Sequence, residues 1–473
     1  MERNITPDRK HLLVVSRPVM RLLLFFFFLS VHFQAFSQMA PGIKKDSSDR
    51  SPVKKRFGRA ALLFGMGEVV PWAWDRYGVN ADYSRISFTS EKYTLNPANF
   101  TWDYDGFQTN QIGHPFHGSI FFNAFRSNGY NFWQSVPATF AGSYIWETAA
   151  ETQAPSINDL INTGFGGVML GEVTHRMSNR LLSNHAHGFK RQASEIFAFL
   201  INPSNGLNRI MDGKWGRVPD NPADRDSTPI SAQLDVGLRK FNVNNKNPFK
   251  GGHFGMYGRL SLQYGSPSEH MKEPFSNINV NIEAGQDDSS KLNVVTVYGS
   301  LAGWKVYARN NTHLAILSAN YDYINNSAFF YSGEGVRMNF YSEFRVTDKV
   351  KFNTAAGAGI VVLAAIPDGY TYNSRNYDYG PGASYYGTVK LNAWNRFFYT
   401  IAYRGGVMGT VNGNQSNYLL HTLTNEAGIR INNQLSLSAE YAYFNLHGNY
   451  RHFPDVNKTY PYVRLAVRYG FDL

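Results

Sequence analysis

Between positions 114 and 176 the sequence gathers carboxylates and imidazoles at spacings that could do chemistry. Glu147 and Glu151 are four residues apart and would stack on one helical face, where two carboxylates repel unless they share a proton, meet a cation or bind a metal. Glu172 and His175 form a Glu-x-x-His pair, and His114 and His117 add two imidazoles. Such parts serve acid–base or hydrolytic catalysis, or a carboxylate-bridged metal pair. A dimetal bundle needs two Glu-x-x-His motifs on separate helices and this chain offers one here, so no metal site and no cofactor are assigned. The candidate catalytic set is His114, His117, Glu147, Glu151 and Glu172, with Ser156, Asp159 and Arg176 as candidate binding residues. The structural alternative is a network in which Arg176 neutralises Glu172 one turn away while Ser156 and Asp159 cap a helix start. On that reading Glu147, Glu151 and Glu172 converge, and Arg176 or a histidine screens the repulsion between the first two.

Other constellations are weaker. No G-x-S-x-G elbow, phosphate loop or H-E-x-x-H occurs, and Ser119 and Ser143 are nucleophile candidates only through His and Glu nearby in sequence. Glu68, Trp72, Trp74, Asp75 and Arg76 mix aromatic and charged groups. They suit a membrane interface or a seal between the helical region and the C-terminal half of the chain, and the seal is the preferred expectation.

Helices must position these groups, and the pattern from about Ala60 to Gly216 supplies them. Ser135 and Pro137 open a segment running to Glu151, and Pro155-Ser156 opens a second. From Gly164 to Leu182 the residues Gly167, Leu170, Gly171, Thr174 and Leu181 recur at helical spacing, and the small ones predict close helix packing. A further helix is predicted from Gln192 to Leu200, before Pro203.

After about Ile230 the period changes to two and holds to the C-terminus. Ile230, Ala232, Leu234, Val236 and Leu238 alternate with Ser231, Gln233, Asp235, Gly237 and Arg239, and Leu435, Leu437, Ala439 and Tyr441 with Ser436, Ser438 and Glu440. There are about twelve such segments, each of roughly 9–13 residues, separated by turns such as Asn310-Asn311 and Asn432-Asn433. Strands with one apolar and one polar face build either a soluble sandwich or a membrane barrel. The 29 Tyr and 35 Phe would furnish two interfacial girdles. The last segment, with Val463, Leu465, Val467, Tyr469, Phe471 and Leu473 on one face, resembles the C-terminal strand by which outer-membrane barrels are recognised for insertion. In a barrel Asp235, Arg239, Arg259, Glu283, Arg337, Glu343, Arg345, Lys390, Arg404, Glu440, Arg464 and Arg468 must face inward.

The 473 residues are 43% hydrophobic but only 17% charged, against roughly a quarter in ordinary soluble proteins. Net charge is +11, yet residues 1–60 hold 12 Lys/Arg against 4 Asp/Glu, so the folded remainder is nearly neutral and lacks the basic footprint of a nucleic-acid binder. The absence of Cys excludes a disulfide scaffold. Arg17, Arg21, the apolar run Leu22–Leu29 and Ala35-Phe36-Ser37 read as a secretory signal peptide cleaved after Ser37. A Lys-, Ser- and Pro-rich linker extends from there to about Arg59, and no later stretch reads as a transmembrane helix.

The ordered string His114-Pro115-Phe116-His117-Gly118, Trp146-Glu147 with Glu151, Pro155-Ser156-Ile157-Asn158-Asp159-Leu160, Gly166-Gly167 and Gly171-Glu172 with Arg176 resembles a conserved-domain family of unknown function found in Gram-negative outer-membrane proteins. The resemblance covers roughly residues 65 to 216. It implies an outer-membrane setting and supplies no activity.

The expected fold is therefore mainly β: a transmembrane antiparallel β-barrel of about 12 strands with an N-terminal α-helical domain. Its parts are a signal peptide (1–37), a linker (38–59), a plug-like helical domain at or in the barrel mouth (60–216) and the barrel (230–473). The expected role is structural or transport in the cell outer membrane. The alternatives are an outer-membrane enzyme acting on lipid or envelope glycan and an envelope binding module. Expected partners are outer-membrane lipids and the barrel-insertion machinery; nucleic acid is excluded, and any small-molecule ligand is unknown.

Overall fold

The computed structural model describes residues 54–219, 226, 228–244, 247–287, 290–308 and 311–472. The expected signal peptide and most of the linker lie outside the described residues, as does the first residue of the Asn310-Asn311 turn.

The helical part begins with α1 (Phe57–Ala73) and α2 (Phe88–Thr94). It continues with α3 (His114–Arg126), α4 (Phe132–Ile145), α5 (Ile157–Ile161), α6 (Gly167–Leu182), α7 (Gly188–Ile201) and α8 (Pro203–Met211). Local chemistry sets the starts: Asn131 and Gln134 form a reciprocal capping box for α4, and the Ser156 hydroxyl accepts from the Asp159 amide to cap α5. The centre is the crossing of α3 with α6. A Cβ added at Gly118 would lie 2.0 Å from the Thr163 carbonyl and 2.9 Å from Gly167 Cα, so the two backbones touch only because both positions are glycine. The predicted small-residue face is this contact.

Twelve strands complete the chain: β1 (Ile230–Phe241), β2 (His253–Tyr264), β3 (Ile278–Gly285), β4 (Leu292–Ala308), β5 (Asn311–Asn325), β6 (Phe330–Thr347), β7 (Val350–Tyr372), β8 (Arg375–Ala393), β9 (Phe397–Gly409), β10 (Ser416–Arg430), β11 (Leu435–Tyr450) and β12 (Val456–Asp472). Each pairs antiparallel with its neighbours, and β12 closes on β1 with Ser231 opposite Asp472 and Phe241 opposite Tyr462. Several strands exceed the expected length, reaching 23 residues in β7. Bulges such as the one between Val361 and Ala364 interrupt the two-residue period, so the sequence pattern stops before the hydrogen-bond ladder does.

Directly opposite residues share a face, which fixes inside and outside. Leu234, Leu260 and Tyr469 line up outward, with Asp235, Arg259 and Arg468 inward. Outward Val236, Leu238 and Leu465 are 51%, 60% and 63% exposed. Inward, ion pairs reach across strands that are not neighbours: Arg464 joins Glu283 of β3 to Glu440 of β11, and Arg259 of β2 reaches Glu440 and Glu426. Only the concave side of a closed sheet allows that. Lys390 and Arg404 line the same cavity of about 520 Å³, while Glu343 and Arg345 pair with one another in an exposed position near the β6–β7 turn. Toward the end away from the barrel's first and last residues, Phe241, Phe329, Tyr331, Ile366, Tyr418 and Tyr460 pack into one apolar layer across the interior.

The helical domain does not occupy the mouth, as a plug would; it lies against the outer wall. Phe107 packs on Tyr323, Phe330 and Tyr377, Phe132 on Phe275, and Trp102 on Tyr379. The register places Tyr321 and Tyr323 on the face opposite inward Asp322, and Tyr377 and Tyr379 on the face opposite inward Asp378. One continuous core therefore joins Phe122, Met169 and Val173 of the helices to Tyr264, Ile278, Val297 and Tyr321 of the wall. The physical reason is that the outer face of β2–β8 offers apolar and aromatic area to bury, whereas the lumen is lined by ion-paired and polar side chains around its cavity and crossed by the apolar layer toward one end.

Candidate functional site

Where the helices depart from ideal geometry, the polar residues converge. Three π-helical turns, Thr109–Gly113, Trp146–Ala150 and Asn162–Gly166, sit beside one another's key residues. His114 comes directly after the first, Glu147 lies in the second, and Thr163 in the third hydrogen-bonds His114 Nδ1 at 3.3 Å. A π-turn rotates the side chains beyond it relative to an α-helix, and such turns are frequent at functional sites. Glu151 consequently leaves the helix with extended backbone, instead of stacking one α-turn above Glu147.

The centre of the cluster is His114, Glu147 and Asp159. His114 Nε2 is 3.3 Å from Asp159 Oδ1. Glu147 Oε2 accepts from the Ser156 amide at 2.7 Å, and Asp159 Oδ1 accepts from Asn158 Nδ2 at 2.9 Å. Asn158 also donates to the Tyr379 hydroxyl of the barrel wall at 3.1 Å and accepts from the Asp103 amide at 2.8 Å. Asn110 donates to Asp103 and to the hydroxyls of Tyr377 and Tyr379. The cluster thus sits at the seam between helical domain and barrel.

Burial dominates its electrostatics. It pushes the Glu147 and Asp159 carboxyls well above the carboxylate range, with neighbouring Asp159, Glu151 and Asp103 adding like-charge repulsion, and it pushes Glu151 up to about 8. Burial also lowers His114, and it brings His117, next to the Gly67 carbonyl, down to about 4. Neutral acids and neutral imidazoles are the favoured forms here.

The remaining sequence candidates separate from this centre. Glu172 does not converge with Glu147 and Glu151. It is fully buried at the other end of α3, held by Arg126 Nε at 2.7 Å and Arg176 Nε at 2.8 Å. Arg126 is at the far end of α3 from His114, about 18 Å of helical rise away, so no one cluster reaches both. Arg176 accordingly neutralises Glu172 and donates to the Pro274 carbonyl of the barrel, and it screens neither Glu147 nor Glu151. His175 contacts Asn179, and His117 stacks edge-on against Trp146. Ser119 and Ser143 donate their hydroxyls to the carbonyls of Phe116 and Asp159. The Glu68–Arg76 segment is not the seal: it packs within the helical domain, Trp72 bonding the Ser84 carbonyl, and turns Trp74 and Tyr77 outward at 68% and 75% exposure. The seal is built instead from Trp102, Phe107, Asn110 and Phe132, which the sequence reading missed; only Trp102 stands in a mixed aromatic and charged string, Trp102-Asp103-Tyr104-Asp105, like the one that singled out Glu68–Arg76.

Residues 99–204 match the family described as a domain of unknown function, DUF3943. No curated protein matches the chain. Among solved structures, the TodX monoaromatic hydrocarbon channel (deltaS2 mutant) is 10% identical, covering 52% of this chain and 90% of that one, with a TM-score of 0.25. The NanC porin is 12% identical over 49% of this chain and 98% of that one, TM-score 0.28. The outer membrane channel DcaP of Acinetobacter baumannii is 9% identical over 52% and 96%, TM-score 0.24. These likenesses are loose, and the barrel rests on its own strand pairing. The stretch that matches this family, residues 99–204, stands ahead of a closed 12-strand antiparallel barrel.

Proposed function

We propose that the protein is an outer-membrane β-barrel with a structural or transport role in the envelope, carrying its DUF3943 domain on the lipid-side wall. The observation that carries this reading is the sorting of the closed ring: Leu234, Val236, Leu238, Leu465 and Val467 outside, Asp235, Arg259, Glu283, Glu440 and Arg464 inside. In water that arrangement would expose an apolar belt and bury charges, whereas in a bilayer both faces are satisfied. Closure leaves no unpaired strand edge for hydrocarbon to penalise. The helical domain fits the same setting. Leu62, Val69 and Val70 of α1 and Phe189, Phe197 and Leu200 of α7 point outward, an apolar surface suited to lipid beside the barrel. None of the described helices is long and apolar enough to cross a membrane.

The cavity among Arg337, Lys390, Arg404 and Thr424 takes small polar solutes, and passage through the barrel requires the apolar layer to part. Cell fractionation is the test: the mature chain should pellet with outer membranes and migrate faster on gels before boiling than after. Recovery as a soluble periplasmic protein without heat-modifiable migration would contradict the reading.

A further inference from the structure

Four carboxylates of the helical domain are buried among the described residues: Glu147, Asp159, Glu172 and Glu195. Glu172 holds Arg126 and Arg176, and Glu195 holds Arg191 and Arg209. Glu147 and Asp159, both 4% exposed, contact neither Lys nor Arg among the described residues. We propose that His114, Glu147 and Asp159 form a binding site for a single divalent first-row transition ion, of the kind represented by Zn2+ or Mn2+.

Geometry supports the assignment. One ligand atom from each of the three residues lies within 4.8 Å of the others. An ion at about 2.0–2.2 Å from each ligand needs them roughly 3–3.5 Å apart; His114 Nε2 and Asp159 Oδ1 already stand 3.3 Å apart, and separations of up to 4.8 Å within the set shorten when the ion binds. The outer contacts are those of a ligand set held from behind. Thr163 engages His114 Nδ1, leaving Nε2 to face the carboxylates; the Ser156 amide holds one Glu147 oxygen, and Asn158 holds Asp159. Two neighbouring side-chain oxygens, Asn110 Oδ1 and Asn162 Oδ1, are completely buried without a hydrogen-bond partner among the described residues. Asn110 shares the Tyr379 hydroxyl with Asn158, and Asn162 precedes Thr163. One imidazole with two carboxylates and no thiol favours borderline and hard ions over soft ones. The Glu-x-x-His pair is a different place, since Glu172 is held by two guanidiniums and His175 by Asn179. Three protein ligands leave a coordination position open at a seam bordered by Tyr379.

The test uses the full chain in detergent, stripped with a chelator and dialysed separately against Zn2+ and Mn2+. We expect about one ion per chain for one of these metals, a rise in the unfolding temperature of the helical signal on loading, and at least a tenfold loss of affinity in Asp159→Asn and His114→Gln. Glu172→Gln should retain the ion. X-ray absorption of the loaded wild-type protein reads the site independently of any variant: a single imidazole among oxygen ligands is expected. No retained ion, unchanged affinity in both ligand variants, or an absorption spectrum without imidazole would overturn the proposal.

Discussion

At Glu172 two guanidiniums meet one buried carboxylate, and the two sides of that arrangement are unequal. Glu172→Ala leaves Arg126 and Arg176 facing each other without their counter-charge and should cost about 3–5 kcal/mol of helical-domain stability. Arg176→Ala leaves Glu172 with Arg126 and should cost about 1–3 kcal/mol. Denaturant unfolding monitored by helical circular dichroism ranks them, and equal costs would contradict the shared-carboxylate account. Glu68 supplies a pH test. Both its oxygens are buried without a partner among the described residues, and burial raises its carboxyl to about 8. A raised folded pKa favours the protonated form, so its contribution is present in full below about 4.5 and is lost as pH rises through 8. Glu68→Gln should flatten the decline in helical-domain stability across that range; an unchanged slope would remove Glu68 as its source. The sequence spacing singled out the His114 and Glu147 chemistry and the Glu172–Arg176 pair. It placed Glu172 in the wrong company because α-helical arithmetic ignores both the π-turn at Trp146–Ala150 and the length of α3.

Among elements, the crossing of α3 and α6 was visible in the sequence as a row of small residues, and the twelve strands as alternation. What alternation could not reveal was which part of the outward face is covered. Tyr321, Tyr323, Tyr377 and Tyr379 read like girdle aromatics and instead receive the helices. Gly118→Ala tests the crossing. Its methyl would meet the Thr163 carbonyl and force the helices apart, at about 1–3 kcal/mol or more. The variant should loosen the helical domain while the barrel keeps its heat-modifiable migration; Gly188→Ala is no equivalent control, because that position has positive φ. Wild-type stability in Gly118→Ala would mean that the backbones do not approach as described.

For the whole molecule, the closed ring, the ion-paired lumen and the apolar layer belong to one arrangement in which the interior is occupied and the outer wall serves as a docking surface. Planar-bilayer recordings should show small or rare conductance steps from the wild type and larger ones from Phe329→Ala combined with Tyr418→Ala, because both rings belong to the layer that spans the lumen. Large steps from the wild type would contradict an occupied interior. The natural absence of Cys permits a direct measurement of where the helical domain sits. Phe107 and Tyr323 have ring centroids 5.6 Å apart, with Phe107 in the helical domain and Tyr323 on the outer wall, while Thr422 faces the lumen. A Phe107→Cys, Tyr323→Cys double variant in outer-membrane preparations should cross-link with a short bifunctional reagent while still migrating as a folded barrel, and a Phe107→Cys, Thr422→Cys variant should not. Cross-linking to position 422 and none to 323 would place the domain inside the barrel and contradict the account.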